Sequence, residues 1–166
     1  MRVLMFGWEF PPHIAGGLGT ACYGMTRGLA ENGVEVLFVM PSASGDEDQS
    51  SVRIINASDV AVDTMSETVD EFLGKVRFVH VGTNMVPYVS PEDFSSVVEE
   101  ERARQIKDFR ITYGQKYQFS GKYGTNLMEE VARYGMVGGT IALQHCDEFD
   151  VIHAHDWLTY LAGIAA

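Results

Sequence analysis

Residues 2–41, RVLMFGWEFPPHIAGGLGTACYGMTRGLAENGVEVLFVMP, hold two apolar runs separated by a glycine-bearing loop and one amphipathic stretch. Arg2–Phe6 has the continuous apolar character of a strand buried on both faces. Gly7 to Gly17 carries Pro11, Pro12, Gly16 and Gly17, which break regular structure. From Leu18 onward the period becomes helical, with Leu18, Cys22, Met25 and Leu29 on one face and Ala21 filling it. Asn32-Gly33 stops that helix, because glycine accepts the left-handed cap conformation. Val34–Met40 is a second buried strand, closed by Pro41. Two buried strands joined by one helix run parallel, and the crossover is right-handed. The expected fold class is therefore α/β: a Rossmann-like, doubly wound, mainly parallel sheet.

The rest of the chain extends this pattern. Pro41–Ser51 is polar and acidic and reads as an exposed loop; Asp46, Glu47 and Asp48 are more economically a solvated run than a cation site. Val52–Asn56 and Val76–Val81 have strand character, with Thr64–Leu73 a short helix or loop between them. Pro91–Phe109 is expected to be a solvent-facing helix, pairing Glu99 with Arg102 and Glu100 with Arg104. Phe119–Thr125 is a turn. A long helix follows from about Asn126 to His145, lined by Leu127, Val131, Tyr134, Gly138 and Ile141. Its glycines Gly135, Gly138 and Gly139 weaken it by propensity but allow close approach to a sheet. Phe149–Ala154 is a strand, and Trp157–Ala166 begins another helix with Asp156 at its N-cap. That helix reaches Ala166 without a stop signal, so the 166 residues are expected to be one domain of a longer protein.

Composition narrows the function classes. With 12 basic against 23 acidic residues the net charge is −11, which lacks the basic footprint of a nucleic-acid binder. No run approaches the 18 or so apolar residues of a membrane span. Cys22 and Cys146 stand far apart with no Cys-x-x-Cys, so a reducing cytoplasm is the expected location.

Two segments carry chemistry. The first is the loop Trp8–Gly19. In doubly wound domains ligands sit at the carboxyl ends of the strands, and a helix N-terminus there offers free N–H groups to a phosphate. Gly16, Gly17 and Gly19 would let the backbone approach it; a simple tight turn is the bland alternative. The dinucleotide fingerprint is incomplete. Cys22 stands where the third glycine belongs, and Met40-Pro41 offers no acid to a ribose. No Gly-Lys-Ser/Thr follows, so a Walker A loop is excluded as well. The second segment is Phe149–Trp157, FDVIHAHDW. His153 and His155 project to one side of a strand by period 2, with Asp156 at its end. A zinc site of the metallohydrolase kind needs a further Asp-His, and Trp157-Leu158 stand there instead.

The glycine loop GGLG after the first strand, together with DVIHAHDW, resembles the glycogen and starch synthases, the family 5 glycosyltransferases, in their N-terminal catalytic domain. The likeness spans Val3–Gly7, Trp8–Gly19, Val34–Pro41, Asn126–Gly138 and Asp150–Gly163 in order. The looser family 4 glycosyltransferases share part of it. The resemblance implies a two-domain GT-B fold, with residues 1–166 as a truncated N-terminal domain whose C-terminal nucleotide-binding domain is absent. It implies glucose transfer from ADP-glucose or UDP-glucose to an α-glucan acceptor with retention, without a cofactor or metal. By resemblance, Gly16, Gly17, Leu18 and Gly19 lie against the donor diphosphate and sugar. His155 lies near the reacting carbon, with His153 and Asp156 orienting it. Asn126 and Glu129 align with cleft positions. The family lysine two residues before the double glycine is replaced by Ile14. Its loss removes a charge-assisted contact of about 1.5–3 kcal/mol, which His13 would replace only in part. A non-catalytic interaction domain that kept the fold, a family 4 type transferase with another sugar, and a nicotinamide-dependent epimerase or dehydrogenase are the competing readings.

Overall fold

The computed structural model describes residues 1–62, 116–124 and 126–166. The expected strand Val76–Val81, the Thr64–Leu73 segment and the Pro91–Phe109 helix lie outside the described residues. Four strands form one sheet: β1 (Arg2–Phe6), β2 (Glu35–Met40), β3 (Arg53–Asn56) and β4 (Val151–Ala154). Their order is β3-β2-β1-β4 and every pairing is parallel. Helix α1 (Gly17–Glu31) connects β1 to β2, α2 (Leu127–Gln144) precedes β4, and α3 (Trp157–Ala165) follows it.

The strand period sorts the core into two layers. Leu4, Phe6, Leu37 and Val39 pack with Val131, Tyr134 and Ile141 of α2 and with Leu158 and Ala162 of α3. Val3, Met5, Val36, Phe38 and Met40 face the other way, onto Cys22, Tyr23 and Leu29 of α1. Successive residues therefore serve opposite helical layers, which makes the sheet apolar on both faces and the domain doubly wound.

Two packing details differ from the sequence reading. On α1 the buried positions are Gly19, Cys22 and Thr26, whereas Met25 is exposed and Leu18 joins the layer on the other side of the sheet. The buried stripe shifts because the loop before α1 folds over Gly19. On α2 the glycines meet α3 more than the sheet. A Cβ on Gly138 would lie 2.8 Å from Ala162 Cβ, and one on Gly135 would lie 3.1 Å from Leu161 Cβ. The end of α1 is as expected. Gly33 has φ 71°, its N–H donates to Ala30 O, and the Val34 N–H donates to Leu29 O, the two bonds of a Schellman cap.

Candidate functional site

The carboxyl ends of β1 and β4 define the site. From β1 the chain crosses through α1 to β2 on one side, while β4 lies on β1's other side, so the strand order reverses between β1 and β4. The carboxyl edge at such a reversal is where doubly wound domains bind ligands. Phe6 pairs with Ala154, and the His155 N–H donates to Phe6 O at 3.0 Å. The glycine loop and the histidine strand thus leave the sheet side by side.

On the β4 side the period-2 expectation holds. The His153 and His155 rings stack with centroids 5.6 Å apart, and His153 Nε2 lies 3.4 Å from His155 Nδ1. Burial, with a smaller contribution from the neighbouring His155, lowers the His153 pKa and favours the neutral ring. The turn that follows is strained. Asp156 has φ 73° and ψ 160°, a region that residues other than glycine rarely occupy. Its carboxylate accepts from the Trp157 N–H, and the Thr159 hydroxyl donates to the His155 and Asp156 carbonyls, both at 3.0 Å. Asp156 does precede α3, but it caps through the adjacent amide rather than one a turn further on.

On the β1 side the loop has a feature that the sequence reading missed. Glu9 is 4% exposed. Its two carboxylate oxygens accept separately from the Ala15 N–H at 2.8 Å and the Gly19 N–H at 3.0 Å. Gly19 is therefore a packing residue whose amide is already used. A Cβ there would fall 2.3 Å from Ile14 Cγ2. Gly16 and Gly17 differ, with no atom within 4 Å of an added Cβ. The backbone beside them is open to a ligand. Among the described residues the amides of Gly16, Gly17 and Leu18 have no acceptor outside α1. Leu18 itself packs partly into the core. Cys22, one turn further, lies near both Glu9 and Asp156. Burial and those two carboxylates push its thiol up to about 12. One side chain thus senses both the glycine loop and the turn after β4.

The remaining sequence-derived candidates have other partners. His13 Nε2 lies 2.8 Å from Asp46 Oδ1 at the surface. Asp48 accepts from the Tyr23 hydroxyl, and Glu47 accepts from the Ser44 and Gly45 amides, so the acidic run is tied to protein donors. Among the described residues no group of three or more His, Cys, Asp or Glu is placed to hold a metal. Asn126 donates to Glu130 Oε1, and Glu129 pairs with Arg133 on the surface. Glu130, 4% exposed, also accepts from the Ser120 and Gly121 amides and so fixes the turn before α2. Tyr134 anchors the same edge from below. Its buried hydroxyl lies 3.0 Å from Gly7 O and 2.8 Å from Val39 O, sharing one proton between the two carbonyls.

A parallel sheet flanked by helices, with a glycine loop and a histidine pair at its switch point, makes this an α/β domain of the Rossmann type. The chain belongs to the starch synthase catalytic domain family, whose model matches residues 2–166. It is accordingly a glycosyltransferase domain of the glycogen and starch synthase group. Among curated relatives, an uncharacterized glycosyltransferase of Methanocaldococcus jannaschii is 50% identical over 36 residues, 22% of this chain and 9% of that protein. Glycogen synthase of Mycobacterium tuberculosis is 36% identical over 67 residues, 35% of this chain and 16% of that protein. The matched stretches are thus a small part of those relatives' length. No solved structure matches significantly. Among the described residues no helix is long and apolar enough to cross a membrane.

Proposed function

We propose that the protein transfers glucose, with retention, from ADP-glucose or UDP-glucose to an α-glucan in the cytoplasm. Residues 1–166 would form the N-terminal half of a two-domain enzyme, and a C-terminal domain would hold the nucleotide. The observation that carries this reading is the meeting of the glycine loop and the His153–Asp156 turn at one switch point. The free amides beside Gly16 and Gly17 face the sugar-diphosphate link of the donor. There they stabilise charge gathering on the leaving diphosphate. His155 lies by the reacting carbon and positions the donor glucose, with His153 and Asp156 fixing its ring. The leaving phosphate takes the acceptor's proton, so the reaction demands no carboxylate pair.

Ile14 in the family lysine position favours the second reading, a domain that keeps the fold without transferring sugar. Assays of the full-length protein with radiolabelled ADP-glucose and UDP-glucose and a glycogen primer separate the two. Label is expected in the glycogen from one of the donors. No incorporation from either, into any α-glucan, would leave the non-catalytic reading standing. The 166 residues alone should bind either donor with a dissociation constant of about 1 mM or weaker, near −4 kcal/mol, because the nucleotide would be held by the other domain and these residues carry a net charge of −11. Calorimetric titration checks this.

A further inference from the structure

Three glutamates at the carboxyl edge are buried without a basic partner among the described residues: Glu9, Glu47 and Glu130. Each carboxylate accepts from two backbone amides nearby in sequence, and that of Glu130 also from the Asn126 side chain. A buried carboxylate is costly unless hydrogen bonds satisfy it, so each loop is shaped around its charge. Of the three, only Glu9 braces the loop that carries the free glycine amides. Its oxygens hold Ala15 and Gly19, the residues on either side of Gly16–Leu18. The enclosed segment is three residues long and has no other hydrogen bond to the described loops. Packing closes the same clamp, since Gly19 lies against the Glu9 stem and Ile14 with no room for a Cβ.

We propose that Glu9 is the positioning residue of the transfer site. Its carboxylate sets the conformation of Gly16–Leu18, and so fixes where the amides meet the donor, without touching the donor itself. The inference rests on the transferase reading above. Glutamine is the discriminating substitution. It has nearly the same shape, but its amide group offers one acceptor where two are needed, and its NH2 would face a backbone N–H. Glu9→Gln therefore keeps the packing and releases one end of the loop.

The test uses the full-length enzyme with glycogen and its donor. Glu9→Gln should lower kcat by about 100-fold, the usual cost of misplacing a reacting group by an ångström, with a much smaller change in the glycogen KM. Ile141→Ala, a buried substitution in α2 well away from the edge, supplies a destabilised control and should keep its kcat below its melting temperature. Gly19→Ala should reproduce the Glu9→Gln defect, and adding Ile14→Ala to it should recover part of the rate by clearing the Cγ2 contact. A Glu9→Gln enzyme with near-normal kcat would overturn the proposal, as would equal kcat losses in Glu9→Gln and Ile141→Ala. If the unsubstituted enzyme transfers no sugar, the transferase reading falls and takes the proposal with it; a loss confined to the Glu9 and Gly19 variants is a different and recognisable result.

Discussion

The two edges of the sheet use polar groups in opposite ways. At the amino edge the charges saturate one another. The Arg2 guanidinium donates to Asp150 Oδ1 and Asp147 O, and the Arg2 N–H donates to Asp150 Oδ2. Arg53 pairs with Glu148, which also meets His145. Arg2, Arg53 and Glu148 also line an open cavity of about 340 Å³, together with Glu35, Gln49 and the apolar Val36, Leu37 and Val52. At the carboxyl edge, among the described residues, no Arg or Lys enters such a pair with the loops that follow β1 and β4. Its buried carboxylates are held mainly by backbone amides, two of its histidines face each other, and one residue is held in a strained conformation. The amino edge resembles a closed seam, and the carboxyl edge a surface kept open at some cost. The difference points to where a ligand is expected.

If that contrast is functional, the largest effect belongs to His155. In the full-length enzyme His155→Ala should reduce transfer at least about 100-fold with little change in melting temperature. Arg2→Ala, which opens the amino seam, should leave transfer unchanged and move the melting temperature slightly, as exposed ion pairs generally do. Steady-state kinetics beside thermal melts decide it. A large drop in the melting temperature of His155→Ala would make that histidine structural and remove the distinction between the edges.

The next effect concerns strain. Asp156 adopts φ 73°, which glycine occupies freely and a residue with a Cβ does not. Asp156→Gly loses the contact to the Trp157 amide but relieves the backbone. Asp156→Ala loses the same contact and keeps the strain. The glycine variant should therefore be the more stable of the two by about 1–3 kcal/mol in chemical denaturation. Both should transfer poorly if the carboxylate orients the histidines. Equal stabilities would mean that the turn is not strained.

How much of this was legible depended on the range of the signal. The β1–α1–β2 unit could be read because apolar runs, helical spacing and the Gly33 stop are local. The stacking of His153 on His155 followed from the two-residue period of a strand. Glu9 was not legible. It stands in the quoted loop, but only folding brings Ala15 and Gly19 to its two oxygens. The same holds for Glu130, whose three donors come from Ser120, Gly121 and Asn126. The glycines of α2 announced close packing, but the sequence pointed to the sheet as the partner, and it proved to be chiefly α3. Nothing local marks Asp156 as left-handed, since its conformation is imposed by the Phe6–His155 bond on one side and α3 on the other.

The smallest effect separates the edges by pH. His153 has its pKa lowered by burial and by His155, from an ordinary value of 6.5. The unfolded chain therefore binds this proton first. Below about pH 6.5 the unfolded state holds more protons than the folded one, and stability falls as the pH drops toward the folded value. The amino edge titrates later. His145 and Arg53 hold Glu148 below its ordinary 4.5, and Arg2 holds Asp150 below its ordinary 3.8. Their stabilisation is complete above those ordinary values and is lost as the pH falls through the lowered ones. Asp48, held down by the Tyr23 hydroxyl and the Ser50 amide, adds to that lower limb from the β2–β3 loop. Stability against pH should thus show two descending limbs. His153→Gln should flatten the one that begins near pH 6.5 and leave the acid limb in place. Asp150→Asn should weaken the acid limb and leave the upper one. Urea melts at half-unit intervals between pH 7.5 and about 2 test both variants. A His153→Gln protein whose upper limb is unchanged would show that the histidine pair carries no proton-linked stability, and that the open edge titrates no earlier than the seam.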